Sequence, residues 1–380
     1  MLQANPMKGS LALYIHWPFC ISKCPYCDFN SHVSKTPVAE ARWRSALLTE
    51  LKYFAQEPVT NRPLGSIFFG GGTPSNMDPK TTAVLIEEAK LQWPKTDCLE
   101  ISLEANPTSI DSSKLKDFAA AGINRLSLGV QSFSDQSLKF LGREHSAKEA
   151  RIAIELASKN FKRYSFDLIY GLPEQTSNMW KHELREAIYL AKDHLSLYQL
   201  GVEPGTQFYA NGVCEASPET AINLYKLTNE LTAQAGLNHY EISNYAQPGE
   251  ECRLNVSIWR GIDYVGVGPG AHGRISLNKN TDAIYQVYNP DRWLKKVESR
   301  GHATAKRQCL TQNERAEEII MTGLRLSEGI ELCEYGEFIN KQALIQLEDS
   351  GFLVKQNGFL QTTERGKLCL NSVIGELLSA

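Results

Sequence analysis

Three cysteines at spacing C-x3-C-x2-C, Cys20, Cys24 and Cys27, follow directly on an apolar run from Leu11 to Trp17. No other feature of the chain narrows its fold so far. A loop hung on the end of a strand brings three sulfurs together, where they can ligate three corners of one compact metal centre. A 4Fe-4S cube has four irons and normally takes four thiolates, so three thiolates leave one iron with an open coordination position. By analogy with catalytic zinc sites, an open position is where a reactant binds. A structural zinc with His32 as fourth ligand is the alternative that the spacing itself allows. Zinc knuckles, however, sit in small loop-rich modules rather than at the first strand of a long β/α array.

With 380 residues the chain is long enough for more than one domain and a substantial core. The formal net charge of −3 gives no electrostatic case for nucleic acid or an anionic membrane. The other six cysteines (Cys98, Cys214, Cys252, Cys309, Cys333, Cys369) are scattered singly, which is not a disulfide framework. Met1 to Ser10 lacks the apolar core of a signal peptide and reads as a loose terminus, and no apolar run is long enough to span a bilayer. The expectation is a cytoplasmic protein with no integral membrane segment, in a compartment that keeps thiols reduced.

From Leu11 onward, short apolar runs alternate with amphipathic stretches, the pattern of parallel strands joined by crossover helices. Strands are expected at Leu11 to Trp17, Ser66 to Gly70, Cys98 to Ala105, Arg125 to Gln131, Arg163 to Tyr170 and His194 to Leu200. Helices are expected between them at Val38 to Gln56, Pro79 to Gln92, Ser112 to Ala121, Lys148 to Lys159 and Ser177 to Ala191. Six such units are fewer than a closed eight-stranded barrel needs, so the predicted fold is α/β, a partial six-unit (β/α) TIM-like barrel.

In barrels the reactive groups sit at the C-terminal ends of the strands, and the polar punctuation falls there. Gly70-Gly71-Gly72-Thr73-Pro74 follows the second strand, and glycines let backbone approach a ligand closely. Glu104 ends the third strand and can accept from an ammonium or a ribose hydroxyl. Gln131 ends the fourth and Asp167 lies in the fifth, both able to serve a second polar ligand, while Arg143 offers a carboxylate-matching fork. All of them converge on the loop of Cys20, Cys24 and Cys27.

With an aromatic, Tyr26, before its third cysteine, the loop resembles that of the radical SAM superfamily. The ordered set H-x-P-F-C-x3-C-x2-C, Gly-Gly-Gly-Thr-Pro, Glu104-x-Asn-Pro, Arg125 to Ser132 and Asp167 to Pro173 is similar to the oxygen-independent coproporphyrinogen III oxidase family over nearly the whole chain. The resemblance implies a 4Fe-4S cluster on Cys20, Cys24 and Cys27, and S-adenosylmethionine (SAM) chelating the open iron. Tyr14, Gly71 and Glu104 would touch that SAM. Tyr26, Gly72, Thr73, Gln131, Arg143 and Asp167 would correspond to a second SAM pocket. An electron donor for the cluster is implied as well.

The family has two branches. The oxidase branch carries a further cysteine two residues after the third ligand, where this chain has Phe29. The chain also opens almost directly on its first strand, without the oxidase's longer N-terminal extension. Both features resemble the haem-chaperone branch, which implies haem or a related porphyrin as cargo and an unidentified acceptor protein. In the oxidase alternative, Arg143 or Arg163 would meet substrate carboxylates. The chaperone branch usually holds a His before the Asn and a Tyr before the Trp of one motif; here Leu254 and Ile258 occupy Cys252-Arg253-Leu254-Asn255-Val256-Ser257-Ile258-Trp259. Leucine cannot ligate iron, so His272, and after it Cys252, are the substitutes on offer.

Beyond the barrel, Pro218 to Ala235 reads as a helix, Tyr240 to Ala246 as an extended segment and Asn289 to Arg300 as a helix with a basic end. Helices at Thr311 to Leu326, Glu334 to Ile339 and Lys341 to Ser350 precede a hairpin, Phe352 to Leu360, tipped by Asn357-Gly358, and a last helix closes the chain at Gly366 to Leu378. This is the order of a winged helix, but its helices are not basic enough for DNA phosphates. The expected division is 1–235 for the barrel with its cysteine loop, 236–305 for a segment closing the barrel, and 306–380 for a winged-helix-like C-terminal α+β domain.

Overall fold

The computed structural model describes residues 9–34, 37–57, 62–278 and 280–379; most of the N-terminal leader, residues 1–8, lies outside them. Six parallel strands run in chain order: β1 (Leu11–Trp17), β2 (Leu64–Gly71), β3 (Lys95–Ala105), β4 (Arg125–Gln131), β5 (Arg163–Tyr170) and β6 (His194–Gln199). Crossover helices α1 (Glu40–Ala55), α2 (Pro79–Gln92), α3 (Ser112–Ala120), α4 (Ala147–Asn160) and α5 (Ser177–Leu190) join them. Each helix start after α1 is fixed by a side-chain cap; Asp78, Asp111, Ser146 and Thr176 each accept from a backbone N–H of the first turn. Alternation along the strands sets the layers. Leu11, Leu13 and Ile15 point out to the helices and are fully buried, with Leu103, Leu126 and Phe166 doing the same on later strands.

The sheet is longer than the six expected strands. Among the described residues it has twelve, and the later part of the chain supplies six at its two ends. Beyond β6 lie β7 (Asn238–Glu241) and β8 (Asn244–Ala246), antiparallel to each other and joined to the sheet through β8. Against β1 lies β9 (Tyr264–Val267), a seventh parallel strand. The antiparallel strands β10 (His272–Leu277), β11 (Asn280–Gln286) and β12 (Thr304–Leu310) continue from it. The sheet therefore stays open, a partial barrel extended on both edges.

The floor of the barrel is plugged by the helix Arg253–Trp259, whose Leu254 packs with Cys252, Ala12 and Phe68. A second core, built on Ile320, Leu324, Ile330, Leu360 and Val373, belongs to the C-terminal helices and the three-stranded sheet of Ile330–Glu331, Phe359–Thr362 and Leu353–Gln356. The Asn357-Gly358 tip takes positive φ at both residues, 53° and 85°, as a two-residue hairpin requires. The arrangement is winged-helix-like.

Candidate cofactor site

The strand ends and the cysteine loop enclose a cavity of about 480 Å³, lined by all three cysteines. Each sulfur has a hydrogen-bond partner: Thr73 Oγ1 donates to Cys20 Sγ at 3.4 Å, Arg143 Nη1 donates to Cys24 Sγ at 3.3 Å, and the Ser31 hydroxyl lies 3.5 Å from Cys27 Sγ. Donors aimed at sulfur stabilise thiolate and tune a metal bound to it. Burial, acting against the Thr73 bond, raises the pKa of the Cys20 thiol. His32 does not join the cysteines. Its Nε2 is engaged with Asn30 Oδ1 at 2.7 Å, and its ring meets Tyr288 edge-on.

Behind the loop, glycines make room that any side chain would fill. A Cβ on Gly72 would stand 2.8 Å from the Phe19 carbonyl oxygen, and one on Gly71, at φ 114°, would stand 2.5 Å from the His16 ring. The Gly71 N–H donates to Glu104 Oε2 at 3.1 Å. His16 is buried and bridges, with Nδ1 3.1 Å from the Tyr14 hydroxyl and Nε2 2.9 Å from the Asn30 carbonyl. Burial holds the His16 pKa down to about 4, so the ring is neutral.

Glu104, Gln131, Arg143 and Asp167 all face the cavity, as do Tyr26, Gly71, Gly72 and Thr73. Burial pushes Glu104 up to about 8, helped by the charge of Asp167, and pushes Asp167 up to about 6 against a hydrogen bond from Ser196. A cationic ligand would restore both charges. Gln131 sits at φ 72°, a left-handed conformation that a side chain adopts only at a cost and that turns it into the site. Arg143 Nη2 donates to the Gly129 carbonyl at 2.7 Å, and its guanidinium also touches the Tyr26 hydroxyl.

Of the residues expected here, Tyr14 is the one not lining the cavity; it stands behind His16. Arg163, offered to substrate carboxylates in the oxidase alternative, is spent at the barrel floor on Glu100 and Glu250. Cys252 is 1% exposed in that floor, and burial raises its thiol to about 11, which suits a packed side chain rather than an iron ligand. His272 is exposed at the start of β10, its ring 4.7 Å from that of Tyr285. Ser127 and Tyr198, neither of them among the residues expected here, also stand in the cavity wall, and the inward alternation of β4 and β6 is the signal that marks them.

A family model described as the radical SAM superfamily matches residues 14–187, and one described as the HemN C-terminal domain matches residues 310–369. The haem chaperone HemW of Haemophilus influenzae is 35% identical over 97% of this chain and 98% of its own. HemW of Escherichia coli is 35% identical over 96% and 97%. The radical S-adenosyl methionine domain-containing protein 1, mitochondrial, of Danio rerio is 35% identical over 97% of this chain and 86% of its own. The chain belongs to the HemW family of radical SAM proteins. Among solved structures, the coproporphyrinogen III oxidase HemN of Escherichia coli matches with a TM-score of 0.80 at 23% identity, covering 97% of this chain and 89% of its own; that likeness is one of fold.

A radical SAM protein of the HemW family works with a 4Fe-4S cluster and SAM. The site fits both: three thiols each with a hydrogen-bonding neighbour, a glycine cradle beside them, and across the cavity two buried carboxyls whose proton affinity is raised.

Proposed function

We propose that this HemW-family chain is a cytoplasmic haem chaperone, binding haem and passing it to an acceptor protein, with an electron donor serving its cluster. The observation that carries the reading is the end-to-end match to two haem chaperones, which takes in the C-terminal module as well as the barrel. Cys20, Cys24 and Cys27 would hold the cluster. When bound, the cluster and SAM supply reductive cleavage of a sulfonium to a carbon radical. The chain's own residues bind and orient. Glu104, oriented by the Gly71 N–H, would receive the SAM amino group, with Tyr14 acting through His16. Tyr26, Gly72, Thr73, Gln131, Arg143 and Asp167 form the remaining wall, a second polar ligand pocket. The same reading divides the chain into 1–235, 236–305 and 306–380.

Leu254 is buried in the barrel floor, which leaves His272 as the haem ligand to test. Although the residue is exposed overall, partial desolvation of its ring, packed near Tyr285, and the charge of Arg274 lower its pKa, which favours the neutral imidazole that binds iron. Anaerobically reconstituted protein is titrated with haem, followed by the Soret band, with His272→Ala alongside. The parent is expected to shift the band and the variant to lose it. No shift in the parent removes the trafficking role. Conversion of coproporphyrinogen by the same preparation, given SAM and a reductant, would replace the chaperone reading with the oxidase.

A further inference from the structure

We infer that Asn30 is the positioning residue that sets the cysteine loop against the SAM cradle, by bonding that loop to a segment far downstream. This rests on the reading of the cavity as a cluster and SAM site. Asn30 is buried at the end of the loop, and every polar atom of its side chain is used. Its Nδ2 donates to the Pro269 carbonyl and to the Tyr288 carbonyl, both at 2.9 Å, while Oδ1 accepts from His32 Nε2 at 2.7 Å. Its own carbonyl meets His16 Nε2 at 2.9 Å. Those contacts reach both sides of the site. On one side, Ser31 is the next residue in the chain, and its hydroxyl faces Cys27 Sγ. On the other, the His16 ring fills the space beneath Gly71, whose N–H holds Glu104.

The downstream partner is shaped for this contact. In Gly268-Pro269-Gly270 both glycines have positive φ, 104° and 74°. A Cβ on Gly270 would collide with Asn30 Nδ2, and one on Gly268 with the His16 carbonyl. The turn is itself pinned, since the Gly268 N–H donates to the buried Glu50 carboxyl at 2.8 Å. The fixed turn presents the Pro269 carbonyl, and the segment it bonds through Gly270 N–H to the Val287 carbonyl presents that of Tyr288, so one amide meets both and holds the loop. Partners one step out from metal ligands act by orienting them.

Asn30→Asp tests the role, because it keeps the side chain's shape and the oxygen facing His32 but removes the donor to Pro269 and Tyr288. Iron content after anaerobic reconstitution is expected to stay near that of the parent, while the thermal midpoint falls because two carbonyls lose their donor. SAM binding, read from the SAM-induced change in the EPR spectrum of the reduced cluster, is expected to weaken about tenfold, the lower end of the range for such outer partners. Gly270→Ala presses on the same amide from the other side and is expected to weaken SAM binding in the same sense, with Asn30 untouched; it decides the matter if Asn30→Asp does not fold. Parental SAM titrations in the folded variants overturn the inference while the cavity reading stands. A parent that shows no SAM response overturns the cavity reading and the inference with it.

Discussion

Glu104 and Asp167 face one cavity, and both have their proton affinity raised by burial. Glu104 moves from 4.5 to about 8 and Asp167 from 3.8 to about 6. Between those limits the folded chain holds protons that the unfolded chain has released, so stability falls as pH rises through the window. His16, His145 and His239, each lowered to about 4, act in the opposite sense below about 6.5, so the difference is the test: the melting-temperature advantage of cofactor-free parent over Glu104→Gln is expected to shrink as pH climbs from about 4.5 to about 8. A slope equal in parent and variant would dismiss Glu104 as its source. Arg143 gives a second test, since one planar fork reaches both Cys24 Sγ and the Gly129 carbonyl. Lysine cannot span both. Arg143→Lys is expected to leave a cluster of more negative midpoint potential, because a donor to sulfur is lost; potentiometric titration reads the shift. Glu104, Gln131 and Asp167 were legible in the sequence because they fall in the last half of barrel strands, and Arg143 because it lies in the connection that follows one. Asn30 was not, since its meaning comes from carbonyls 239 and 258 positions away.

The first six strands and their helices were readable because fully buried parallel strands leave unbroken apolar runs between capped amphipathic stretches. The antiparallel extension was not. Asn280–Gln286 and Thr304–Leu310 are polar on one face and carry few apolar residues, so they read as loop. Their place in the sheet follows from β9 pairing with β1, a contact that no local pattern announces. The helix Arg253–Trp259 carries the motif linked to haem in the chaperone branch, but with Leu254, which cannot ligate iron and packs here against Ala12 and Phe68. Leu254→His would put an unpartnered polar ring into that floor at a cost of about 1–3 kcal/mol. A lower urea midpoint with no gain in haem affinity is expected. A gain would move the haem site to the barrel floor. Glu50 is the counterpart at the other edge, accepting from Gly268 N, Ala303 N and Trp293 Nε1. Glu50→Ala orphans three buried donors, and an unfolding penalty above about 3 kcal/mol is expected by chemical denaturation.

The C-terminal module, with its own core, meets the barrel through paired charges. Glu318 accepts from both Arg274 and Arg315, Arg315 also donates to the Gly261 carbonyl, and Arg260 pairs with Glu328. These pairs are partly buried, so removing one partner strands the others. Glu318→Ala is expected to expose the 304–312 junction to limited proteolysis while the reconstituted cluster keeps its iron. Unchanged cleavage would show that the module is held by its apolar contacts instead. The winged-helix order was visible from the hairpin tip, but its docking was not, because it depends on single arginines, Arg260, Arg274 and Arg315, that no local pattern sets apart.

One consequence reaches back to synthesis. A ribosome delivers the cysteine loop early and Tyr288, its farthest anchor, 258 residues later than Asn30. At usual translation rates that interval is on the order of ten to fifty seconds. Throughout it the three sulfurs hang on a nascent chain whose first strand still lacks one neighbour, within reach of any oxidant. The loop's placement against the cradle is thus completed late, when residue 288 has emerged to meet its amide.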